Sequence, residues 1–204
     1  MTTILHIESS SNLQTSFTRQ IGALTVQELQ KANPDAKVIE RDLVKSNIPH
    51  ITPEWLGAAF SGQADAPVLA LSKTLIEELF AADILVIEAP MYNFGIPSVL
   101  KAWIDHIERA GITFHYTATG PEGLVKGKKA ILVVSRGGIY SEGPYKAFEH
   151  QDSYLRAVLG FLGITDVETI TIEGVALGAE KAAEAVANAK IRTHAVTQNA
   201  VKAA

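Results

Sequence analysis

Apolar residues fall along this chain in two alternating rhythms. Short β-branched runs recur: Ile4–Ile7, Lys37–Glu40, Ile84–Ile87, Ile131–Val134 and Val167–Ile172. Three of them are almost uninterrupted apolar, which predicts parallel strands covered on both faces. Between them the spacing changes to the helical period. Phe17, Ile21 and Leu24 share one face of a helix that Asn33-Pro34 stops. Val68, Leu71, Leu75 and Leu79 form a second stripe; Leu100, Trp103 and Ile107 form a third, with Pro97 near its first turn. Leu155, Val158 or Leu159, and Leu162 form a fourth, ended by Gly163, and the alanine-rich stretch from Ala179 to Ala195 a fifth. Strands alternating with helices predict an α/β fold: an open, doubly wound, five-stranded parallel sheet with helices on both faces. Two insertions interrupt the rhythm, Asn47–Pro67 and Gly111–Lys129, and connections of that length in a compact domain are often functional.

Composition narrows the classes. At 204 residues the chain is expected to form a single domain spanning 1–204, able to bury roughly 70% of its unfolded surface without a staple. Apolar residues are 47% and charged residues 20%, which excludes a disordered chain. With no cysteine there is no disulfide framework, thiolate metal site or cysteine nucleophile. Eighteen basic residues against 22 acidic ones, net −4, give no electrostatic case for nucleic acid. The stretch around Ala82–Met91 is interrupted by Asp83 and Glu88 and is too short to span a bilayer, and the first ten residues lack the basic flank of a signal peptide, so a soluble cytoplasmic protein is expected.

In open α/β sheets, ligands bind at the carboxyl ends of the strands, so the residues after each strand carry the functional signal. After the first strand, Ser9 to Thr18 is a hydroxyl-rich loop that opens a helix. Unsatisfied N–H groups at a helix start attract anions, and Ser10, Ser16 and Thr18 add O–H donors, although simple N-capping explains the same residues. No basic residue appears before Arg19, so a phosphate here would be held mainly by neutral donors. After the third strand, Met91, Tyr92, Asn93 and Phe94 put aromatic rings and an amide at a loop tip, a composition that suits a flat heterocycle. Gly95 allows close backbone approach there. After the fourth strand, Ser135, Arg136, Gly137 and Gly138 form a loop whose main chain could approach a ligand. Each segment alone is equally readable as an ordinary turn. Together they surround one crevice suited to a phosphorylated planar heterocycle, and FMN fits all three.

Other chemistries are excluded by pattern. There is no G-x-G-x-x-G and no P-loop; Gly123 to Lys129 has the wrong spacing and precedes a strand, reading as a solvated turn. A hydrolase nucleophile at Ser135 would need glycine at position 133, which is valine. His6, His50, His106, His115, His150 and His194 lack metal-ligand spacing, so no metal is expected, and His106, on a helix between Trp103 and Ile107, reads as structural. Glu77-Glu78 and Asp35/Glu40 read as solvated surface.

The same residues resemble a known family. Ser9-Ser10 with Ser16-Phe17-Thr18, the block Pro90 to Pro97, Thr113-Phe114 through Gly120 to Leu124, Ser135 to Gly138, and Leu159 to Ile164 are similar over nearly the whole chain to the FMN-dependent NADH:quinone oxidoreductases, also called NADH-azoreductases, of the flavodoxin-like superfamily. The resemblance implies a flavodoxin-like fold and bound FMN, with NADH as electron donor. Ser10 and Ser16 to Thr18 would hold the phosphate, Met91 to Phe94 would contact the isoalloxazine and ribityl parts, and Ser135 to Gly138 would meet the pyrimidine edge. It further implies a homodimer with two sites at its interface, where Tyr116 and Phe161 line the substrate side. Quinones and azo compounds would be reduced by two-electron ping-pong hydride transfer through the flavin, which carries the chemistry, so no side chain is assigned as acid or base. The rival reading is a non-enzymatic, flavodoxin-type electron-transfer protein.

Overall fold

The computed structural model describes residues 1–63 and 65–202; Ala64, inside the first insertion, and Ala203 and Ala204 lie outside them. All five expected strands form, each longer by two to four residues: β1 (Thr3–Glu8), β2 (Lys37–Asp42), β3 (Ile84–Pro90), β6 (Lys129–Arg136) and β7 (Asp166–Glu173). They make one parallel sheet in the order β2-β1-β3-β6-β7. In register, Leu5 of β1 lies between Ile39 and Leu85, and Glu88 of β3 lies beside Val133 of β6.

The continuous apolar runs now have a cause. Successive side chains point to opposite faces, so each run serves two cores. Leu5, Ile7, Leu85, Ile87, Leu132 and Val134 pack on one face with Leu75, Leu79, Leu100, Trp103 and Leu159. These come from α3 (Ala70–Ala81), α4 (Ser98–Ile107) and α5 (Asp152–Leu162). Ile4, Val86, Ile131, Val133 and Ile170 pack on the other face with Ile21, Leu29 and Val196, from α1 (Phe17–Ala32) and α6 (Ala179–Lys202).

Details depart from expectation. Val68 does not join the α3 stripe; it sits exposed in a short 3₁₀ turn, Pro67–Leu69, and Leu75, Ile76 and Leu79 carry the buried face instead. Pro97, by contrast, stands where expected, immediately before Ser98 at the first turn of α4.

The insertions are structured. The first contains α2 (Pro53–Phe60), capped by Thr52, whose Oγ1 accepts from the Trp55 N–H. A buried polar chain clamps it. Trp55 Nε1 donates to Ser72 Oγ at 2.9 Å, Ser72 Oγ meets His106 Nδ1 at 2.7 Å, and His106 Nε2 meets the Pro49 carbonyl at 2.9 Å. A carbonyl only accepts, so Nε2 carries the proton and Nδ1 accepts from Ser72; every member is satisfied. His106 is therefore structural, as expected. The second insertion folds into an antiparallel hairpin of β4 (Phe114–Thr117) and β5 (Gly120–Gly123). A Cβ at Gly123 would fall 2.2 Å from the Gly163 nitrogen, so only glycine lets the hairpin lie against the end of α5. The expected solvated turn at Gly123 to Lys129 is instead anchored: Val125 is fully buried and the Lys128 ammonium donates to the Phe80 and Ala82 carbonyls.

Candidate functional site

The carboxyl ends of β1, β3 and β6, adjacent in the sheet, bring the three expected loops to one rim. On β1's side, Ser16 caps α1: its Oγ accepts from the Arg19 N–H at 3.3 Å and lies 3.0 Å from Thr18 Oγ1. As the first helical residues, Phe17 and Thr18 have N–H groups with no carbonyl one turn earlier to accept from them. The Phe17 ring packs toward the α1/α6 core, so this residue offers its backbone. Ser10 is buried and its Oγ accepts from the Asn12 N–H. The loop is held in shape by Arg19, which donates to the Ser10 carbonyl through Nε and Nη2 while pairing with Glu8 at 2.6 Å and Asp42 at 3.0 Å. Its charge is thereby committed, and the loop presents neutral donors. Burial opposes ionisation of Asp42, but the hydrogen bonds and charge of Arg19 and Lys45 outweigh it and bring the carboxyl down to about 2.

The loop after β3 is a tight turn closed by two hydrogen bonds between Tyr92 and Gly95. Its central residues, Asn93 and Phe94, both have positive φ, 49° and 72°. Asn tolerates that region; Phe rarely occupies it, and such conformations persist where the surroundings over-determine them. The strain falls on these two residues, not on Gly95, where the sequence placed the backbone freedom. Tyr92 and Phe94 stay 39% and 46% exposed. Tyr92 ties this loop to the first, its hydroxyl accepting from the Ser11 N–H, and Met91 N–H donates to the Ser135 carbonyl.

Ser135 and Arg136, expected in the loop, are the last two residues of β6 and are buried. The Arg136 guanidinium is fully engaged, donating to Gln151 Oε1 and Glu149 Oε1 at 3.0 Å and lying 3.6 Å from Glu173. A ligand could meet only the main chain of this residue. Gly137 and Gly138 give their carbonyls to the N–H groups of Ala176 and Gly174, and among the described residues no protein acceptor takes their own N–H groups.

The structure adds residues the sequence reading missed. Tyr140, Tyr145 and Phe148 gather beside Phe94, with ring centroids 6.2 Å apart for Phe94–Tyr140 and 5.3 Å for Phe94–Phe148. The reasoning that singled out Tyr92 and Phe94, aromatics stranded in a loop, applies equally to these three. A cleft of about 580 Å³ beside the turn is lined by Tyr92, Asn93, Lys101, His150 and Tyr154. Lys101 and Tyr154 also line a second cleft that continues along α4 and α5 to Phe161. The Phe161 ring packs tilted against Phe114 with centroids 4.6 Å apart, and Phe114 meets Tyr116, which is 74% exposed, edge to face. Tyr116 and Phe161 thus stand together, but neither lines the cleft beside the Tyr92–Gly95 turn. Among the described residues no group of three metal-ligating side chains occurs, and no helix is long and apolar enough to cross a membrane.

Residues 2–196 match the family described as having a flavodoxin-like fold. The chain is 48% identical over 192 residues to the FMN-dependent NADH:quinone oxidoreductase of Herminiimonas arsenicoxydans, covering 92% of this chain and 94% of that one. It is 52% identical over 180 residues to the enzyme of the same name from Francisella philomiragia, covering 88% and 91%. Among solved structures, an azoreductase from Bacillus anthracis superposes with a TM-score of 0.91 at 30% identity, covering 98% of this chain and 100% of that chain. With its 2-1-3-6-7 parallel sheet and three loops converging on one rim, the chain belongs to the FMN-dependent NADH:quinone oxidoreductase family of flavodoxin-like proteins.

Proposed function

We propose that the protein is an FMN-dependent oxidoreductase that draws electrons from NADH and reduces quinones and azo compounds. One observation carries the reading: a helix start with neutral donors, a left-handed turn flanked by exposed aromatics, and two glycine N–H groups without protein acceptors among the described residues meet at one rim. The relatives' names support the donor and acceptor classes.

The donor set fits FMN. Ser10, Ser16, Thr18 and the Phe17 N–H would hold the phosphate. Met91, Tyr92, Asn93 and Phe94 would grip the ring and ribityl chain, and Ser135 with the main chain of Arg136, Gly137 and Gly138 would meet the pyrimidine edge. Bound there, FMN supplies a two-electron carrier between NADH and the acceptor. The N–H groups of Gly137 and Gly138 stabilise negative charge at that edge. Phe94, Tyr140 and Phe148 exclude water and offer faces to planar substrates, so NADH and the acceptor use the same space in turn. No side chain is required as acid or base. The whole chain acts as one FMN-binding domain in the cytoplasm. In a homodimer, Tyr116 and Phe161 of one copy would flank the rim of the other, which suits their absence from the lining of the cleft beside the Tyr92–Gly95 turn.

Anaerobic mixing tests the reading. NADH should bleach the flavin absorbance of the FMN-loaded protein, and a benzoquinone added afterwards should restore it with no protein partner present. Flavin that NADH leaves oxidised would overturn it, and a requirement for a partner protein would favour the electron-transfer alternative.

A further inference from the structure

Beneath the phosphate loop lies a charged cluster that the reaction does not use. His6 on β1 and Glu88 on β3 project toward α1 and are 4% and 0% exposed. His6 Nε2 lies 2.7 Å from Glu88 Oε1, and Nδ1 lies 2.7 Å from Glu40 Oε2. A neutral imidazole has one N–H, so with a carboxyl at each nitrogen either the ring is charged or one carboxyl keeps a proton. The second oxygen of Glu88 has no hydrogen-bond partner among the described residues, which denies the ionised form the donors it needs. The carboxyl is seated against Gly22 of α1, where a Cβ would fall 2.0 Å from Glu88 Oε1. Glycine inside a helix is less favourable than alanine, so helix propensity is given up to make this room. Gly22 lies about 7–8 Å along α1 from Phe17, and the Glu88 carbonyl accepts from Ser9 of the loop above.

The surrounding charges nearly balance. His6 and Glu8 face the cluster from β1, Arg19 from α1, Glu40 and Asp42 from β2, and Lys45 just beyond it. From β6 the register neighbour of Glu88 is the apolar Val133. Three cations answer three carboxylates, and Glu88 is the fourth carboxyl.

We propose that Glu88 is a positioning residue for the cofactor phosphate: it holds a proton when a phosphate dianion lies at the start of α1, so that no net negative charge lies beneath the anion and cofactor binding takes up a proton. This rests on the FMN reading above. Burial pushes Glu88 up to about 7, against the hydrogen bond and charge of His6, so the carboxyl is poised where a new anion changes its occupancy. Burial works against charged His6, but hydrogen bonds and charges of Glu40 and Glu88 carry it to about 9 while Glu88 is ionised, and the Glu40 hydrogen bond and charge still favour the charged ring when Glu88 holds its proton. A dianion raises the Glu88 pKa further. By linkage, affinity for the dianion falls as pH rises past neutrality.

Flavin-free protein is titrated with FMN and with riboflavin, which lacks the phosphate, and proton uptake is counted by calorimetry in two buffers of different ionisation enthalpy. Between about pH 6.5 and about pH 8.5 the FMN Kd should weaken about fivefold, with net proton uptake. Riboflavin should show neither effect. Glu88→Gln should flatten the FMN profile and abolish the uptake. FMN binding that is independent of pH and proton-neutral overturns the proposal, as does an unchanged slope in Glu88→Gln or the same slope for riboflavin. If Glu88→Gln does not fold, the contrast between FMN and riboflavin on the unaltered protein decides. Failure of FMN to bind at any pH overturns the flavin reading itself, a distinguishable result.

Discussion

The two faces of the sheet are built differently. Against α3, α4 and α5, Leu5, Ile7, Leu85, Ile87, Leu132 and Val134 form an apolar core, and the buried charge on that face, Arg136, stands at the last position of β6 beside the start of α5. Against α1 and α6 the same strands carry Ile4, Val86 and Val133, but also His6 and Glu88, one pair position short of the rim. Burying a charged pair rarely improves stability over apolar packing. On the proposal above, its location under the loop expected to take a phosphate gives that face a second task, setting the charge of the site, beside holding the fold.

The largest effect should come from the apolar face. Leu132→Ala removes a fully buried side chain and should cost about 3–4 kcal/mol in urea denaturation. FMN affinity of the folded protein should change less than about twofold. A large loss of affinity would break the division between the faces.

Next is the pH dependence of stability. His6 is raised, so its contribution is complete below the ordinary imidazole value of 6.5 and is lost as pH rises through about 9. Glu88 is raised too: the folded protein keeps a proton that the unfolded chain releases near 4.5, so its contribution is lost as pH rises to about 7. Both run in one direction, opposite to Asp42, whose contribution is present above 3.8 and lost as pH falls through about 2. Unfolding free energy should therefore fall by about 2–3 kcal/mol between about pH 6 and about pH 9. His6→Asn should flatten the decline above neutrality; an unchanged slope would remove the charged face from the account.

Two smaller tests sharpen the site. Asn93→Ala places alanine at positive φ and removes the amide, and should weaken FMN about tenfold, read by fluorescence. Ser16→Ala removes the α1 cap, costing about 1 kcal/mol of stability. It should also weaken FMN while leaving riboflavin unchanged, which places the phosphate on the β1 side.

The parallel strands were legible because continuous apolar runs have one economical explanation, strands covered on both faces. The α1 start and the three rim loops were legible because hydroxyl, aromatic and glycine residues cluster directly after those runs. The β4–β5 hairpin was not: Gly120-Pro121-Glu122-Gly123 has none of the composition of a strand and forms one only against α5. Tyr140, Tyr145 and Phe148 carry the same loop-aromatic signal as Tyr92 and Phe94, but that Tyr140 and Phe148 meet Phe94 from more than forty residues away was not legible. Glu40 is exposed as expected while also meeting His6 of the neighbouring strand, whereas Glu78 of α3, read as solvated, is half-buried and pairs with Arg41 of β2, contacts no local pattern records.

The most direct measurement is a titration of flavin-free protein with FMN, followed by flavin fluorescence and visible absorbance. The account requires saturable quenching at one FMN per chain, with a shifted flavin spectrum, weakened by Ser16→Ala and by Asn93→Ala. FMN that keeps its free fluorescence and spectrum in the presence of excess protein would contradict it.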